Sequence, residues 1–143
     1  MSKPEREAFL QETRVGILSI GEEGRGPLAV PVWFAYSPGG VVRIVISSES
    51  RKARLLRIAG RASFCVQADT PPYKYVSVEG PARLAEPDFD RDERQMARRY
   101  LGAEAAERYL AATAAERDAV PSVLVTIEPE HWLSVDYAKM RLG

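Results

Sequence analysis

Short runs in which apolar and polar residues alternate recur along the chain and predict a protein rich in β-strands. In the run LAVPVWFAY, residues 28–36, every second residue is large and apolar, so one face of an extended strand would be buried. Pro31 cannot donate a ladder hydrogen bond, which places this strand at a sheet edge or interrupts it there. Further runs rich in β-branched residues occupy positions 15–20, 41–47, 62–68, 75–84, 122–129 and 132–136.

Three other stretches have the signals of helices. The first begins near Pro4, and the second follows Ser48 or Ser50 and ends before Gly60. The third covers residues 88–112, with a break at Gly102. Strands that come first, without a regular alternation of strand and helix, are not the pattern of a doubly wound sheet. The order predicts a mainly β (α+β) fold, a small antiparallel barrel of about six or seven strands with short flanking helices.

The composition is that of one soluble globular domain spanning residues 1–143. Twenty Lys and Arg balance twenty Asp and Glu, and this net charge of zero argues against bulk binding to nucleic acid or to an anionic membrane. The single cysteine, Cys65, excludes an internal disulfide and leaves no cysteine-based metal motif, so we expect a buried structural thiol. The first residues lack the apolar stretch of a signal peptide, and we expect a cytoplasmic protein.

The most informative stretch chemically is SSESRKARLLR, residues 47–57, where cations follow serines at a predicted strand-to-helix junction. The cations are Arg51, Lys52, Arg54 and Arg57, and the serines are Ser47, Ser48 and Ser50. Free N–H groups at a helix start, serine hydroxyls and long cations together suit a phosphate group. A solvated helix face whose cations pair with nearby carboxylates is the alternative, and the residues alone support both about equally. Leu55, Ile58 and Ala59 are expected on the core-facing side of this helix.

Two single residues carry further expectations. Trp33 faces away from the apolar side of the 28–36 run, and is expected either in a dimer core or in a wall that contacts a cofactor ring. Gly80, in the middle of a predicted strand, indicates a β-bulge or the close approach of another backbone.

The ordered series RVGILSI, VPVWFAY, VVRIVISSESRKARLLR, ASFCVQAD, YVSVEGPARL, RRYLG and HWLSV resembles the split-β-barrel oxidoreductases related to pyridoxamine 5′-phosphate oxidase. The resemblance covers residues 8–136 and is greatest to the branch that uses FMN or the deazaflavin F420. It implies a six-stranded antiparallel Greek-key split barrel, and a homodimer with two cofactor sites in the subunit interface. The Arg-x-x-Leu-x-Lys pattern of the vitamin B6 oxidases is missing, so oxidation of pyridoxamine phosphate is not expected.

The resemblance also implies which residues hold the cofactor. The cofactor phosphate would be bound at the strand-to-helix junction by Ser47, Ser48, Ser50, Arg51, Lys52 and Arg54. The strand that runs along the ring, with its backbone hydrogen-bonded to the pyrimidine edge, would contain Val30, Pro31, Val32 and Trp33. Trp132 would contact the ring or the tail. No catalytic side chain is implied, because hydride transfer belongs to the cofactor.

The expected function is therefore hydride transfer between F420 or FMN and a small conjugated or quinone-like substrate. The longer anionic tail of the deazaflavin would suit the cations along the predicted helix and Arg61, which modestly favours F420. A non-catalytic protein that binds or carries the cofactor is the alternative.

Overall fold

Eight strands and five α-helices make up most of the regular structure in residues 1–140, the part of the chain that the computed structural model describes. The helices are α1 (Lys3–Gln11), α2 (Arg51–Ala59), α3 (Gln95–Leu101), α4 (Ala103–Ala112) and α5 (Ala114–Ala119). The strands are β1 (Gly16–Ile20), β2 (Leu28–Val32), β3 (Ala35–Tyr36), β4 (Val42–Ser47), β5 (Arg61–Gln67), β6 (Lys74–Ala85), β7 (Ser122–Ile127) and β8 (His131–Asp136). No helix in these residues is both long and apolar enough to span a membrane.

The strands form two antiparallel sheets that share the long strand β6. Sheet A has the order β2–β1–β5–β6–β8, and sheet B has the order β6–β7–β4–β3. Residues 74–79 of β6 pair with β8, whereas residues 82–85 pair with β7, so the partner on this edge changes part-way along the strand. The predicted antiparallel split barrel with short flanking helices is confirmed.

Gly80 lies where β6 changes partner. A Cβ atom at this residue would lie 1.8 Å from the carbonyl oxygen of Glu128, in the turn between β7 and β8. The N–H groups of Glu128 and Glu130 donate to the carbonyls of Pro81 and Glu79 at 3.0 and 2.9 Å. The close approach of another backbone, one of the two predictions for Gly80, is therefore confirmed, and a side chain would not fit.

The run 28–36 folds as two strands in different sheets rather than as one. β2 ends at Val32 and pairs with β1 in sheet A, whereas β3 pairs with β4 in sheet B. The alternation continues across the break because Phe34 and Tyr36, like the apolar residues of β2, turn inward. β2 is the terminal strand of its sheet, which confirms the edge position that Pro31 requires. This division raises the number of strands above the expected six or seven.

The core lies between the sheets, and α1 and α2 pack against it. Its largest fully buried side chains include Phe9, Leu10, Leu18, Ile20, Phe34, Ile44, Leu56 and Phe64. Glu7 fixes α1 to sheet B, since its carboxylate accepts from the Tyr36 hydroxyl at 2.8 Å and from the N–H of Gly39 at 2.5 Å. Burial, together with the hydrogen bond to Glu7, raises the pKa of Tyr36 to about 12.

The expectations for three residues are wrong. Ile58 is 75% exposed and Ala59 is exposed as well, because the buried side of α2 is formed by Ala53 and Leu56 together with Leu55, which was predicted correctly. Cys65 is half-buried and lies on the side of β5 that faces away from the core. Burial raises the pKa of the Cys65 thiol, which disfavours the thiolate form that a nucleophile needs.

The predicted helical region is longer and more divided than residues 88–112. A π-helical turn (Phe89–Arg94) precedes α3, Gly102 separates α3 from α4 as expected, and α5 follows without a signal in the pattern. The turn is fixed to sheet B by the buried carboxylate of Asp92, which binds Arg91 and, in β4, Arg43. Burial alone would raise the pKa of Asp92, but hydrogen bonds from these two arginines outweigh it and lower the pKa to about 2.

Candidate functional site

A cavity of about 590 Å³, called cavity 1, lies between the outer face of sheet B and the helices α3, α4 and α5. The sheet contributes Val45, Ile46, Ser47 and Ser122. The helices contribute apolar residues, Met96, Ala97 and Leu110, and a few polar ones, Glu93, Thr113, Glu116 and Arg117. Trp33 and Tyr109 complete the wall. Mostly apolar walls with a few polar groups are typical of a small-molecule site.

Trp33 is fixed in this wall by two tyrosines of the helical region. Its ring stacks on Tyr100 with centroids 4.9 Å apart and planes 6° apart, and Tyr109 lies 5.8 Å away at 52°. The Tyr100 hydroxyl accepts from the N–H of Phe34 at 3.0 Å and lies 2.5 Å from the carbonyl oxygen of Arg14, to which it donates. Tyr100 therefore holds both the ring of Trp33 and the backbone directly after it.

The junction between β4 and α2 borders cavity 1, because Ser47, the last residue of β4, also lines that cavity. The Ser50 hydroxyl accepts from the N–H of Ala53 at 3.2 Å and donates to the carbonyl of Ser47 at 2.8 Å. Ser50, one of the two predicted caps, is thereby confirmed as the N-cap of α2. The N–H groups of Arg51 and Lys52, in the first turn, have no acceptor within the helix. They remain available to an anion.

The predicted phosphate-binding cations differ in what they contact. Arg51 donates to the Glu22 carboxylate at 2.5 Å, which lowers the pKa of Glu22, and Arg57 donates to a main-chain carbonyl at 3.0 Å. Lys52 is half-buried and Arg54 is exposed, and neither forms a salt bridge with any residue in 1–140. The alternative, in which the cations of this helix pair with nearby carboxylates, thus holds for Arg51 but not for Lys52.

Of the predicted ring contacts, Trp33 lines the same cavity as Ser47. The other predicted contacts lie outside this cavity. Val30 and Val32 of β2 pack against the core, and Pro31 is exposed on the opposite side of the strand. None of these three lines cavity 1.

Trp132 is also outside cavity 1. Its side chain packs against the core next to Tyr36, with ring centroids 6.3 Å apart, and the guanidinium carbon of Arg6 lies 4.3 Å from its ring centroid. Within one chain, Trp132 therefore belongs to a cluster different from the one that contains Trp33.

Sequence reasoning missed the helical side of cavity 1. Tyr100 and Tyr109 lie in RRYL and ERYL, and a single tyrosine in a charged helix is a weak signal because it is equally compatible with a solvated face. Arg117, in α5, reaches back to the carbonyl of Leu110 and the hydroxyl of Thr113. The helical residues that line cavity 1 are far from those of β4 along the chain, so only the fold shows that they share a cavity.

The outward face of sheet A carries a second notable surface. One row crosses all five strands in register and consists of Pro31, Ile17, Cys65, Ser77 and Leu133. Ile17 is 43% exposed and Leu133 is 60% exposed. An exposed row of apolar and small side chains without a charge is typical of a protein–protein contact.

Comparison with known proteins identifies the family to which this fold belongs. A sequence profile described as pyridoxamine 5′-phosphate oxidase matches residues 2–136. The chain belongs to this family. The predicted family is thereby confirmed, while a search of curated protein sequences finds no match.

Solved structures of the family share the fold over nearly the whole chain. A conserved hypothetical protein of Mycobacterium tuberculosis is 26% identical, with a TM-score of 0.78 over 100% of this chain and 92% of that one. An F420 reductase is 21% identical, with a TM-score of 0.66 over 89% and 94%. A FAD-binding protein from Mesorhizobium loti is 24% identical, with a TM-score of 0.63 over 94% and 91%. These last two likenesses concern the fold alone.

Proposed function

We propose that this protein is an oxidoreductase that binds F420 or FMN in cavity 1 and at the adjoining junction between β4 and α2. The observation that carries the proposal is that Trp33 and Ser47 line one cavity of about 590 Å³, beside the helix start that holds Lys52. A cavity of this size suits a cofactor ring and a small conjugated or quinone-like substrate. The bound cofactor supplies hydride transfer, and the protein binds it, orients it and excludes water.

The groups at the junction suit the cofactor phosphate. Lys52 is a half-buried cation without an ionic partner in residues 1–140, next to N–H groups that have no acceptor within α2. The hydroxyls of Ser47 and Ser48 add neutral donors, and Ser50 keeps the helix start in place. Glu22 opposes an anion and pairs with Arg51, so we assign the larger share of phosphate binding to Lys52.

The walls of cavity 1 suit a planar ring. Trp33 offers a rigid aromatic surface because Tyr100 holds it, and the aliphatic side chains of β4 and α3 keep water away. β2 leads directly into Trp33, and as the terminal strand of sheet A it has main-chain groups on its outer edge that no neighbouring strand pairs. Alternate residues of a strand direct these groups to opposite edges, so part of the backbone in the segment of Val30, Pro31 and Val32 is suited to the polar edge of a pyrimidine ring.

We also infer that the outward face of sheet A binds a second copy of the chain. The exposed row from Pro31 to Leu133 carries no charge over five strands, and stable dimers bury about 1,200 Å² or more in total. Because Pro31 lies on this face and the chain continues from it into Trp33, a second copy seated there would reach the margin of cavity 1. This supports a homodimer in which the cofactor lies near the interface.

Calorimetric titration of FMN and of F420 into three proteins tests the cofactor site. A charge-assisted hydrogen bond contributes ~1.5–3 kcal/mol, so Lys52→Ala should weaken binding by roughly ten- to a hundredfold. Arg108→Ala, on the exposed side of α4, is the matched control and should leave both affinities unchanged. If Lys52→Ala binds both cofactors as tightly as the wild type, the proposed phosphate site is wrong. Binding without reduction of any quinone offered would favour the carrier alternative.

The dimer is tested by light scattering at micromolar concentration. Leu133→Glu should convert the protein to a monomer, because it places a charge on the most exposed large apolar side chain of this uncharged row. Ile58→Glu is the control, since Ile58 is more exposed than Leu133 but lies on α2. A wild-type monomer, or a Leu133→Glu dimer, would refute the assignment of this face.

A further inference from the structure

A second cavity, of about 190 Å³ and called cavity 2, adjoins cavity 1 on the outer face of sheet B. Val45 and Met96 line both cavities, so the two are separated by little more than these side chains. Cavity 2 extends from them along β4, away from Ser47 and toward Arg43. Its position is therefore on the far side of cavity 1 from the junction where the cofactor phosphate is proposed to lie.

The charges that line cavity 2 are predominantly positive. Arg43, Arg91 and Arg99 line it together with one carboxylate, that of Asp92. Asp92 binds Arg43 through a single nitrogen, Nη2, which leaves the other donors of that guanidinium without an acceptor in residues 1–140. Arg91 binds Asp92 through Nε and Nη2, so its Nη1 is likewise not used in that pair. The carboxylate thus holds two arginines at the cavity without exhausting their donors.

Arg99 adds an unsatisfied donor. Its two terminal nitrogens donate to the carbonyls of Gln11 and Glu12 at the end of α1, at 3.0 and 2.8 Å. Its Nε is buried and has no hydrogen-bond partner in the described part of the chain. Leaving a charged donor buried and unpaired costs more than most hydrogen bonds contribute, and such groups are rare. Arg99 lines cavity 2, and an acceptor bound there that contacted Nε would offset that cost.

We propose that cavity 2 is a subsite for the carboxylate of the substrate, and that the substrate is therefore a small unsaturated or aromatic organic acid. The substrate role rests on the proposed function, but the binding of a carboxylate does not. Arginine side chains match a planar carboxylate by donating two parallel hydrogen bonds. The Asp92 carboxylate in the same wall repels a dianionic phosphate ester more strongly than a singly charged carboxylate, which favours the carboxylate. A ring attached to that carboxylate would extend past Val45 and Met96 into cavity 1, beside the position assigned to the cofactor ring.

Benzoate and its neutral analogue benzamide are the probes, titrated calorimetrically into the protein without added cofactor. Benzoate should bind at least roughly tenfold more tightly than benzamide, because only benzoate carries the charge that the arginines complement. In an NMR spectrum, the Nε–H signal of Arg99 should shift when benzoate is added and stay in place with benzamide. Equal affinities, or an unmoved Arg99 signal, would overturn the proposal.

Variants test whether benzoate binds specifically in cavity 2 or is only attracted by the positive charge of the helix. Arg91→Gln retains the pair between Asp92 and Arg43 and should weaken benzoate binding by roughly three- to tenfold. Arg99→Lys keeps the charge but removes Nε and should weaken it at least as much. Arg98→Gln removes a neighbouring cation that does not line cavity 2, and should bind benzoate like the wild type. Loss of affinity in Arg98→Gln equal to that in Arg91→Gln would refute a specific subsite.

Two further results complete the test. FMN and F420 should bind Arg91→Gln as they bind the wild type, which distinguishes a failure of this subsite from a failure of the cofactor site. Phenyl phosphate should bind more weakly than benzoate. Tighter binding of phenyl phosphate would overturn the assignment to a carboxylate.

Discussion

The hydroxyl of Tyr100 is a small group on which the geometry of the candidate site depends. Phe34 follows the last residue of the β2 edge by two positions and precedes β3, so neither sheet ladder includes it. Its N–H donates to Tyr100 Oη at 3.0 Å, and its carbonyl oxygen lies 3.1 Å from the same hydroxyl. The substitution Tyr100→Phe removes these contacts while it retains the ring that stacks on Trp33.

The size of the effect follows from what the substitution leaves behind. The Phe34 side chain is fully buried, and without the hydroxyl its N–H has no replacement acceptor in the described residues. An unsatisfied buried donor costs about 1–3 kcal/mol. At about 3 °C per kcal/mol for a domain of this length, Tm should fall by roughly 3–9 °C. Because the backbone beside Trp33 is then less constrained, FMN and F420 should also bind less tightly.

Thermal and urea unfolding of Tyr100→Phe and Tyr109→Phe is the assay. Tyr109 also contacts Trp33, but its hydroxyl forms no hydrogen bond within residues 1–140, so Tyr109→Phe should change the free energy of unfolding by less than about 0.5 kcal/mol. If Tyr100→Phe is as stable as Tyr109→Phe, the hydroxyl does not support the Phe34 backbone and our account of the Trp33 wall is wrong.

Three other substitutions have defined outcomes. Glu22→Gln should strengthen FMN binding by up to about fivefold in calorimetry, because it removes a repulsive carboxylate and releases Arg51 from its ion pair. Such an exposed pair contributes at most about 1 kcal/mol. Unchanged or weaker binding would contradict this expectation. The pKa of Asp92 is about 2, below its ordinary value of 3.8, so its ion pairs stabilise the fold above about pH 4 and are lost as pH falls toward about 2. Denaturant unfolding of Asp92→Asn should therefore show a weaker pH dependence in that window, and an unchanged slope would argue against the pairs. Gly80→Ala should cost about 3 kcal/mol or more, since its Cβ would collide with a main-chain carbonyl, whereas Gly21→Ala, with nothing within 4 Å, should be nearly neutral.

The strands were predictable because alternation directly reports which side chains are buried. It could not show that the 28–36 run crosses from sheet A to sheet B, since Val32 before the break and Tyr36 after it both turn toward the core. The cap at Ser50 was also predictable, because the signal and its partner lie within three residues. Ile58 was misplaced because the apolar positions of α2 are few, and a small rotation of the helix exchanges one exposed residue for another.

The site was predictable only in part, for a different reason. Ser47 and Trp33 could be named from local motifs and the family resemblance. The partners that modify them could not, because Glu22 meets Arg51 and Tyr100 meets Trp33 through tertiary contacts that no local spacing encodes. Cavity 1 itself is formed by elements from four separate parts of the chain.

The position of the candidate site follows from the change of sheet within residues 28–36. A chain that leaves one sheet for another must pass through residues whose main-chain groups have no ladder partner, and buried groups of this kind need another acceptor and donor. Here the Tyr100 hydroxyl accepts from the N–H of Phe34 and lies 3.1 Å from its carbonyl oxygen, and the same tyrosine stacks on Trp33. The helical region that supplies Tyr100 also covers sheet B and closes cavity 1. The backbone requirement of a split barrel thus places an aromatic wall, the helices α3 to α5 and the end of β4, which leads into α2, around one cavity.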